Sequence, residues 1–396
     1  MENQTQIRPP SPPKRVAVVY RLDRPGGVQS CAIALIRGLN QAGIVPEVLW
    51  DVEPDWALLE RFHARASYRR IPFPVSTTAI TRLPVSLRYL GWIPNAIRGE
   101  RYRGDYDFFY VFFNGFLLPD DVPHLRYLSG PPLIPALEVT RPGLAGLPVR
   151  FFRWLYWAVL RHAWPVYEFH SRQRYVINSS YTGDLFYAAH GIRLPVIHPP
   201  IELSGRSFDA TDLDQRDTLT FFSRFIPYKR PELVLELARR HPHLRCVLMG
   251  AVTDSRRLYF ASLQRTAREL GLSGVEFLDT PSEEQVRAEL ARTRFFVFPA
   301  QNEHFGMTTA EAIASGALPF VHNSGGQVEI VPDERLRFED SELLPKFDAL
   351  LRLDDGELKA LRQKMAAHVR GFSEETFIQK MLAYAGLDEA LPDRPA

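Results

Sequence analysis

The stretch Gln301-Asn302-Glu303-His304-Phe305-Gly306-Met307-Thr308-Thr309-Ala310-Glu311 decides how this chain is read. Two carboxylates eight positions apart flank His-Phe-Gly. An apolar run, Phe295-Phe296-Val297-Phe298, leads in, and a helical pattern from Ala310 to Ser315 leads out. A loop that joins the carboxyl end of a strand to a helix N-terminus is where open α/β sheets take phosphorylated ligands, because helix amides and the helix dipole favour an anion. A carboxylate on each side suits sugar hydroxyls. The alternative is purely local. Thr308 and Glu311 have the Thr-x-x-Glu spacing of a capping box, and Glu303 is then an ordinary loop acid.

Around this stretch the C-terminal half alternates strand and helix. Thr218 to Phe222 predicts a strand, Ser223 to Arg230 a loop, and Pro231 opens a helix to Arg240. Arg245 to Met249 is a strand closing at Gly250. A helix near 258–270, a strand at Val275 to Leu278 and a helix from Ser282 to Arg292 follow. After the Glu311 helix, Leu318 to His322 predicts a strand, Gly325-Gly326 a turn, and 341–351, 355–369 and 373–385 helices. The N-terminal half starts the same way. The strand Arg15 to Tyr20 runs into Pro25-Gly26-Gly27, then a helix from Val28 to Asn40 ended by Gly43, then a strand to Trp50. Phe108 to Phe113, Leu125 to Leu128 and Tyr175 to Asn178 are further strands. His198-Pro199-Pro200-Ile201 is a stiff linker between the halves, and 203–217 is polar loop.

The 396 residues favour two domains, and 45% hydrophobic with 24% charged residues is ordinary for a soluble globular protein. Cys31 and Cys246 lie far apart in apolar runs and are expected to be buried thiols. The first residues are polar and Pro-rich, with no apolar core of a signal peptide, and no apolar run is long enough to span a membrane. Residues 1–200 hold 23 Lys and Arg against 15 Asp and Glu, a balance of +8, whereas the remainder is −6. The basic half suits an anionic partner such as a membrane surface or a phosphorylated acceptor, although so modest an excess needs none. In 150–168, Arg150, Arg153 and Arg161 interleave with Phe151, Phe152, Trp154, Leu155, Tyr156, Trp157 and Trp164. Such a helix lies at a membrane interface or is buried with an Arg edge; apolar residues on nearly every face favour burial.

Each half places an anion-suited loop after a strand. Gly26 and Gly27 let the backbone approach a ligand closely. Arg224 and Lys229 suit a diphosphate, the guanidinium as a fork and the ammonium as a point charge; a solvated loop looks the same. Asp105-Tyr106-Asp107 has the Asp-x-Asp pattern of metal-dependent sugar transferases, but it precedes a strand and is expected to be surface loop. No zinc spacing, phosphate-loop motif or Gly-x-Ser-x-Gly elbow occurs.

In their order these elements resemble the retaining glycosyltransferases of family 4. The resemblance covers about residues 15 to 385. Gly26-Gly27, Asn178-Ser179-Ser180-Tyr181-Thr182, Pro199-Pro200-Ile201, Arg224, Lys229, the glutamate pair Glu303 and Glu311, Gly325-Gly326 and Phe372-Ser373 carry it. It implies the α/β GT-B fold: two Rossmann-like doubly wound domains facing across a cleft, at 15–198 and 199–372, after a disordered lead-in at 1–14. A terminal helix at 373–396 would return to the N-terminal domain. It implies that Arg224 and Lys229 hold the donor diphosphate. Glu303 and the amides of Phe305, Gly306 and Met307 would face the donor sugar, with His304 and Thr308 in the same loop, and Glu311 would bind the ribose. Gly27 would let the N-terminal domain close over the phosphates. Neither metal nor other cofactor is implied, since cations and the helix dipole stabilise the leaving diphosphate.

Two departures stand out. Ser223 occupies the position of the family's glycine before the diphosphate Arg. Tyr127-Leu128-Ser129-Gly130-Pro131 corresponds to the family's Tyr-x-His-x-Pro, with Ser129 in place of a residue that can carry charge. Asn302-Glu303-His304-Phe305-Gly306 with His322-Asn323-Ser324-Gly325-Gly326 looks most like dolichol-pathway mannosyltransferases, which favours GDP-mannose over UDP-glucose or a UDP-N-acetylhexosamine. The expected partners are a nucleotide sugar and a glycan, lipid-linked or small-molecule acceptor, with no nucleic acid. The expected location is cytoplasmic, with peripheral association at the inner face of a membrane as an option. A sugar-nucleotide 2-epimerase and a non-catalytic nucleotide-sugar-binding protein are the rival readings.

Overall fold

The structure is a computed structural model. It describes residues 14–24, 26–83, 93–95, 97–112, 115–119, 121–130, 175–203 and 216–387, with isolated positions at 87, 147, 148, 150–152, 154, 155 and 158. The lead-in, most of the aromatic stretch 150–168 and most of 203–217 lie outside the described residues. The chain divides into two compact units, one formed by Met1–Pro200 with Glu374–Ala396 and the other by Ile201–Ser373. The second domain, drawn from 199 to 372, corresponds to the unit Ile201–Ser373, and the terminal segment drawn from 373 corresponds to Glu374–Ala396, which joins the first unit.

The first unit contains strands β1 (Val16–Val19), β2 (Glu47–Trp50), β3 (Ser67–Arg70), β4 (Ile97–Arg98), β5 (Phe108–Val111), β6 (Phe116–Leu117), β7 (His124–Leu128) and β8 (Tyr175–Ile177). Six of these make one parallel sheet in the order β3-β2-β1-β5-β7-β8, while β4 and β6 pair separately. The central strands β1 and β5 are continuous apolar runs because both faces are covered. Side chains alternate across the sheet, so Val16 and Val18 join one core and Ala17 and Val19 another. The first core also takes the helices Gly27–Gln41 and Glu374–Ala383. That last helix buries Phe377, Ile378, Met381 and Leu382. Each such side chain contributes about 1.5–3 kcal/mol when withdrawn from water, so the helix belongs energetically to this unit. Gly38 makes the approach possible, since a Cβ there would lie 2.3 Å from Ile378 Cγ2. Arg37 and Glu374 close the contact at 3.2 Å.

The second unit contains β9 (Thr218–Phe222), β10 (Arg245–Gly250), β11 (Val275–Asp279), β12 (Thr293–Phe298), β13 (Leu318–His322) and β14 (Arg337–Phe338). They form a parallel sheet in the order β11-β10-β9-β12-β13-β14. Within each sheet the chain runs outward from the central strand in one direction and then in the other. The strand order therefore reverses between β1 and β5 in the first unit and between β9 and β12 in the second. In doubly wound sheets that reversal opens a crevice at the carboxyl ends of the two central strands.

Several expectations change in detail. The helix after Gly306 spans Met307–Ala314, starting three residues before the predicted Ala310. β3 was not expected: its Ser-Tyr-Arg-Arg sequence is polar because it is a largely exposed edge strand. The helix Ser180–His190 was also unforeseen, although Ser179 caps it and Gly191 ends it in the left-handed region. Of the aromatic stretch, Phe151 and Trp154 are 55% and 52% exposed, contrary to the buried expectation at these two positions. Among the described residues no helix is long and apolar enough to cross a membrane. Cys31 and Cys246 are buried, and burial pushes both thiols up to about 12.

Candidate functional site

The site in the second unit grows from the ends of β9 and β12, the two strands that flank the reversal. β9 ends at Phe222, and the chain continues as Ser223-Arg224 into a short turn of helix at Pro227–Lys229. Phe225 is fully buried and anchors this loop beside Phe260, with ring centroids 4.6 Å apart. Arg224 is exposed, while Lys229 is 7% exposed and turned inward. Gly250, at the end of β10, has φ +153, and a Cβ there would lie 1.7 Å from the Ser223 carbonyl oxygen. The Arg224 loop therefore sits directly on the neighbouring strand end. Glycine is required at Gly250 rather than at Ser223.

β12 delivers the second loop. The Lys229 ammonium forms a close ion pair with the Glu303 carboxylate, with side-chain exposures of 9% and 17%. It also lies 4.9 Å over the Phe298 ring, a cation–π contact. Burial alone pushes the Glu303 carboxyl up, but Lys229, with smaller contributions from His304 and Arg224, holds it below its ordinary value. Glu303 is therefore a carboxylate at neutral pH, facing a cation from the other loop.

Gly306 precedes the Met307–Ala314 helix with φ +107, and no side chain caps the helix. Thr308 thus lies inside the first turn, and the capping-box account of Thr308 and Glu311 does not hold. An uncapped helix start leaves amides for an incoming anion. Phe305 is 2% exposed and packs edge-on to Phe372 at 5.4 Å, pinning the loop to the core. His304, Met307, Thr308 and Glu311 are half-buried along the loop and first helical turns. Behind them, Gly325-Gly326 abuts the loop: the Gly326 N–H donates to the Glu303 carbonyl at 2.7 Å. A Cβ on Gly326 would lie 2.2 Å from the His304 carbonyl oxygen.

Arg224, Lys229, Glu303, Gly306 and Glu311 all lie in the second unit, with Lys229 and Glu303 in direct contact. Gly26, Gly27 and Ser129 belong to the first. Gly26 precedes the Gly27–Gln41 helix in extended backbone at φ 169, and a Cβ there would meet only the flexible Gln29 side chain, at 2.5 Å. Ser129 follows β7, and its carbonyl accepts a hydrogen bond from Asn178 Nδ2 at 2.9 Å. Asp105 and Asp107 are engaged locally, with Arg69 at 2.7 Å and Arg15 at 3.1 Å. Among the described residues no three His, Cys, Asp or Glu side chains gather as a metal site needs.

The reversed strand order, the cations after β9 and the uncapped helix after β12 define an α/β protein with a candidate anion site in its second unit. Residues 206–344, about a third of the chain, match the model of the glycosyl transferases group 1 family. Two curated relatives match at 26% identity, each over 53% of this chain. They are the GDP-Man:Man(3)GlcNAc(2)-PP-Dol alpha-1,2-mannosyltransferase of Dictyostelium discoideum and the D-inositol 3-phosphate glycosyltransferase of Mycolicibacterium smegmatis. The matched regions span 46% and 52% of those proteins, about half their length. The crystal structure of Anabaena HepE in complex with UDP-glucose aligns with a TM-score of 0.66 at 16% identity, covering 94% of this chain and 99% of that one. The two parallel six-stranded sheets are thus the GT-B glycosyltransferase fold.

Sequence reading missed Gln327 and Asp340 and quoted His322 and Ser324 only for donor type, not as residues that support the loop from behind. Their only local signal was the position of His322-Asn323-Ser324 directly before Gly325-Gly326.

Proposed function

We propose that this chain is a family 4 hexosyltransferase that moves a sugar from a nucleotide donor with retention of configuration and without a metal. The observation that carries this is the meeting of Lys229 and Glu303 across the two strand ends at the sheet reversal, beside an uncapped helix. Arg224 and Lys229 take the donor diphosphate. The Lys229 ammonium has three donors, so it can hold a phosphate oxygen as well as Glu303. Glu303 faces the donor sugar, and Glu311 binds the ribose hydroxyls. Transfer breaks the bond from the sugar's anomeric carbon to the leaving phosphate oxygen. The acceptor oxygen attacks from the same face, and its proton passes to that phosphate. Arg224, Lys229 and the helix amides stabilise the charge that develops on the diphosphate.

GDP-mannose is the favoured donor. The Dictyostelium relative's name specifies GDP-mannose, and the Asn302-to-Gly306 stretch resembles such enzymes. HepE, bound to UDP-glucose, keeps the uridine donors in play. The acceptor is a glycan, a lipid-linked sugar or a small polyol. Calorimetric titration with GDP, UDP and ADP, with and without magnesium, tests the site. Selective micromolar binding that is indifferent to magnesium is expected, and Glu311→Ala is expected to raise the donor KM at least tenfold. Absence of binding to all three nucleotides would sink the assignment.

Ser129 favours a second reading, a nucleotide-sugar-binding protein without turnover. Donor binding with no transfer over a broad acceptor panel would select it. Peripheral membrane association is a separate proposal, supported by the exposed Phe151 and Trp154. The protein is expected to co-sediment with anionic vesicles at low salt and to be released at high salt; recovery in the supernatant at low salt counts against it.

A further inference from the structure

Asn302 is the residue before Glu303, and its backbone is held in the left-handed region at φ 52. Asparagine is one of the few side chains that tolerate this region, and here its surroundings also hold it there. Side chains from other segments grip both of its peptide groups. Tyr228 Oη donates to the Asn302 carbonyl at 2.8 Å, and the Asn302 N–H donates to Ser324 Oγ at 2.9 Å.

Ser324 is itself oriented. Its Oγ lies 2.8 Å from His322 Nδ1, and His322 Nε2 lies 3.2 Å from Asp340 Oδ1. The Gln301 amide Nε2 lies 3.3 Å from the same ring nitrogen, but it already donates to Asp340 at 3.0 Å; the nearer carboxylate only accepts, so His322 Nε2 is assigned the proton. Nδ1 of the neutral ring is then an acceptor and takes the Ser324 hydroxyl proton. That leaves the serine lone pairs for the Asn302 N–H, and the chain of donors runs one way, from Asn302 through Ser324 and His322 to Asp340. Burial pushes His322 down, against the upward pull of Asp340, which agrees with a neutral imidazole. Asp340 is fixed in turn by Arg230 at 2.7 Å and Gln301 Nε2 at 3.0 Å. Gln327 adds a parallel tie. It is fully buried, and its Nε2 donates to both the Ala300 and His322 carbonyls at 2.9 Å.

We propose that Ser324, oriented by His322 and Asp340, is a positioning residue that sets the angle at which Glu303 meets the donor sugar. The inference rests on the donor-site reading above. Ser324 and His322 act on the backbone before Glu303 and reach Lys229 only through the Glu303 ion pair and the neighbouring Tyr228 and Arg230. They therefore govern recognition of the sugar and the chemical step, not affinity for the diphosphate.

The test compares Ser324→Ala with Ser324→Thr, which keeps the hydroxyl. The probes are GDP with GDP-mannose and UDP with UDP-glucose, titrated by calorimetry against the full chain, and melting temperature reports folding. With whichever pair the native protein binds, Ser324→Ala is expected to hold the nucleoside diphosphate within twofold of native. It should lose tenfold or more in affinity for the nucleotide sugar and in kcat, and Ser324→Thr should restore most of both. Parallel loss of nucleotide and nucleotide sugar, or no change in their ratio, overturns the positioning role alone. Failure of the native protein to bind either pair overturns the donor-site reading and this inference with it.

Discussion

Lys229→Ala is expected to abolish sugar transfer and to destabilise the second unit in a pH-dependent way. The ammonium and the Glu303 carboxylate are both largely shielded, so each is tolerated only because the other is there. Removing one partner of such a pair costs about 3–5 kcal/mol, mostly from the stranded charge, and the residual exposure of Glu303 places this one at the lower end. In the native protein Glu303 is held below its ordinary pKa, and a carboxyl so depressed contributes stability above the unfolded pKa. That contribution is lost as pH falls through the folded value. In Lys229→Ala burial dominates and raises the carboxyl, so the folded variant prefers the protonated acid and loses stability as pH rises. The gap between native protein and variant should therefore be large at neutral pH and shrink toward about pH 4. Urea denaturation at several pH values measures it. Adding Glu303→Gln to the variant should recover stability at neutral pH and leave activity absent. Loss of a preorganised cation at a developing charge costs about 10²–10³-fold in kcat. A single variant that turns over within tenfold of native would remove Lys229 from the mechanism.

This pair shows what can be read from a linear sequence and what cannot. Lys229 and Glu303 are 74 positions apart. Each was visible as a polar residue just past an apolar run, because strands buried on both faces leave continuous hydrophobic signatures such as Phe295 to Phe298. Their placement against each other follows from strand order. β9 and β12 are neighbours only because the chain builds β10 and β11 on one side and then crosses back. Local spacing misled where a stronger local rule intervened. Thr308 and Glu311 suggested a capping box, but the left-handed Gly306 starts the helix two residues earlier. Edge strand β3 was hidden because exposure lets it carry Ser67, Arg69 and Arg70. The supporting ring of His322, Ser324, Gln327 and Asp340 had no periodic signature, since its members meet through tertiary contact alone. The acceptor surface proposed above left no such signal, because a binding surface on varied loops has no hydrophobic period to read.

The other large effect concerns backbone rather than charge. Gly325→Ala is expected to reduce activity by about two orders of magnitude at a modest cost in stability. Gly325 sits at φ +74, where an alanine costs roughly 1–2 kcal/mol. More consequential is its neighbour: a Cβ there would lie 2.4 Å from the Glu303 carbonyl oxygen and 2.5 Å from the Glu303 amide nitrogen. Those are backbone atoms, with no flexible side chain to swing aside, so the loop carrying Glu303 must retreat. A displacement of about 1 Å at a reacting group costs on the order of 10²-fold in rate. Gly271→Ala separates strain from displacement. Gly271 has a similar φ of +68, but a Cβ there meets nothing within 4 Å. Both variants should melt below the native protein, and Gly271→Ala should keep native kcat and donor affinity. If the two lose activity equally, the loss comes from general destabilisation and the close approach behind Glu303 is unimportant. If only Gly325→Ala loses it, the glycine pair after β13 is there to let one loop's backbone rest directly on another's.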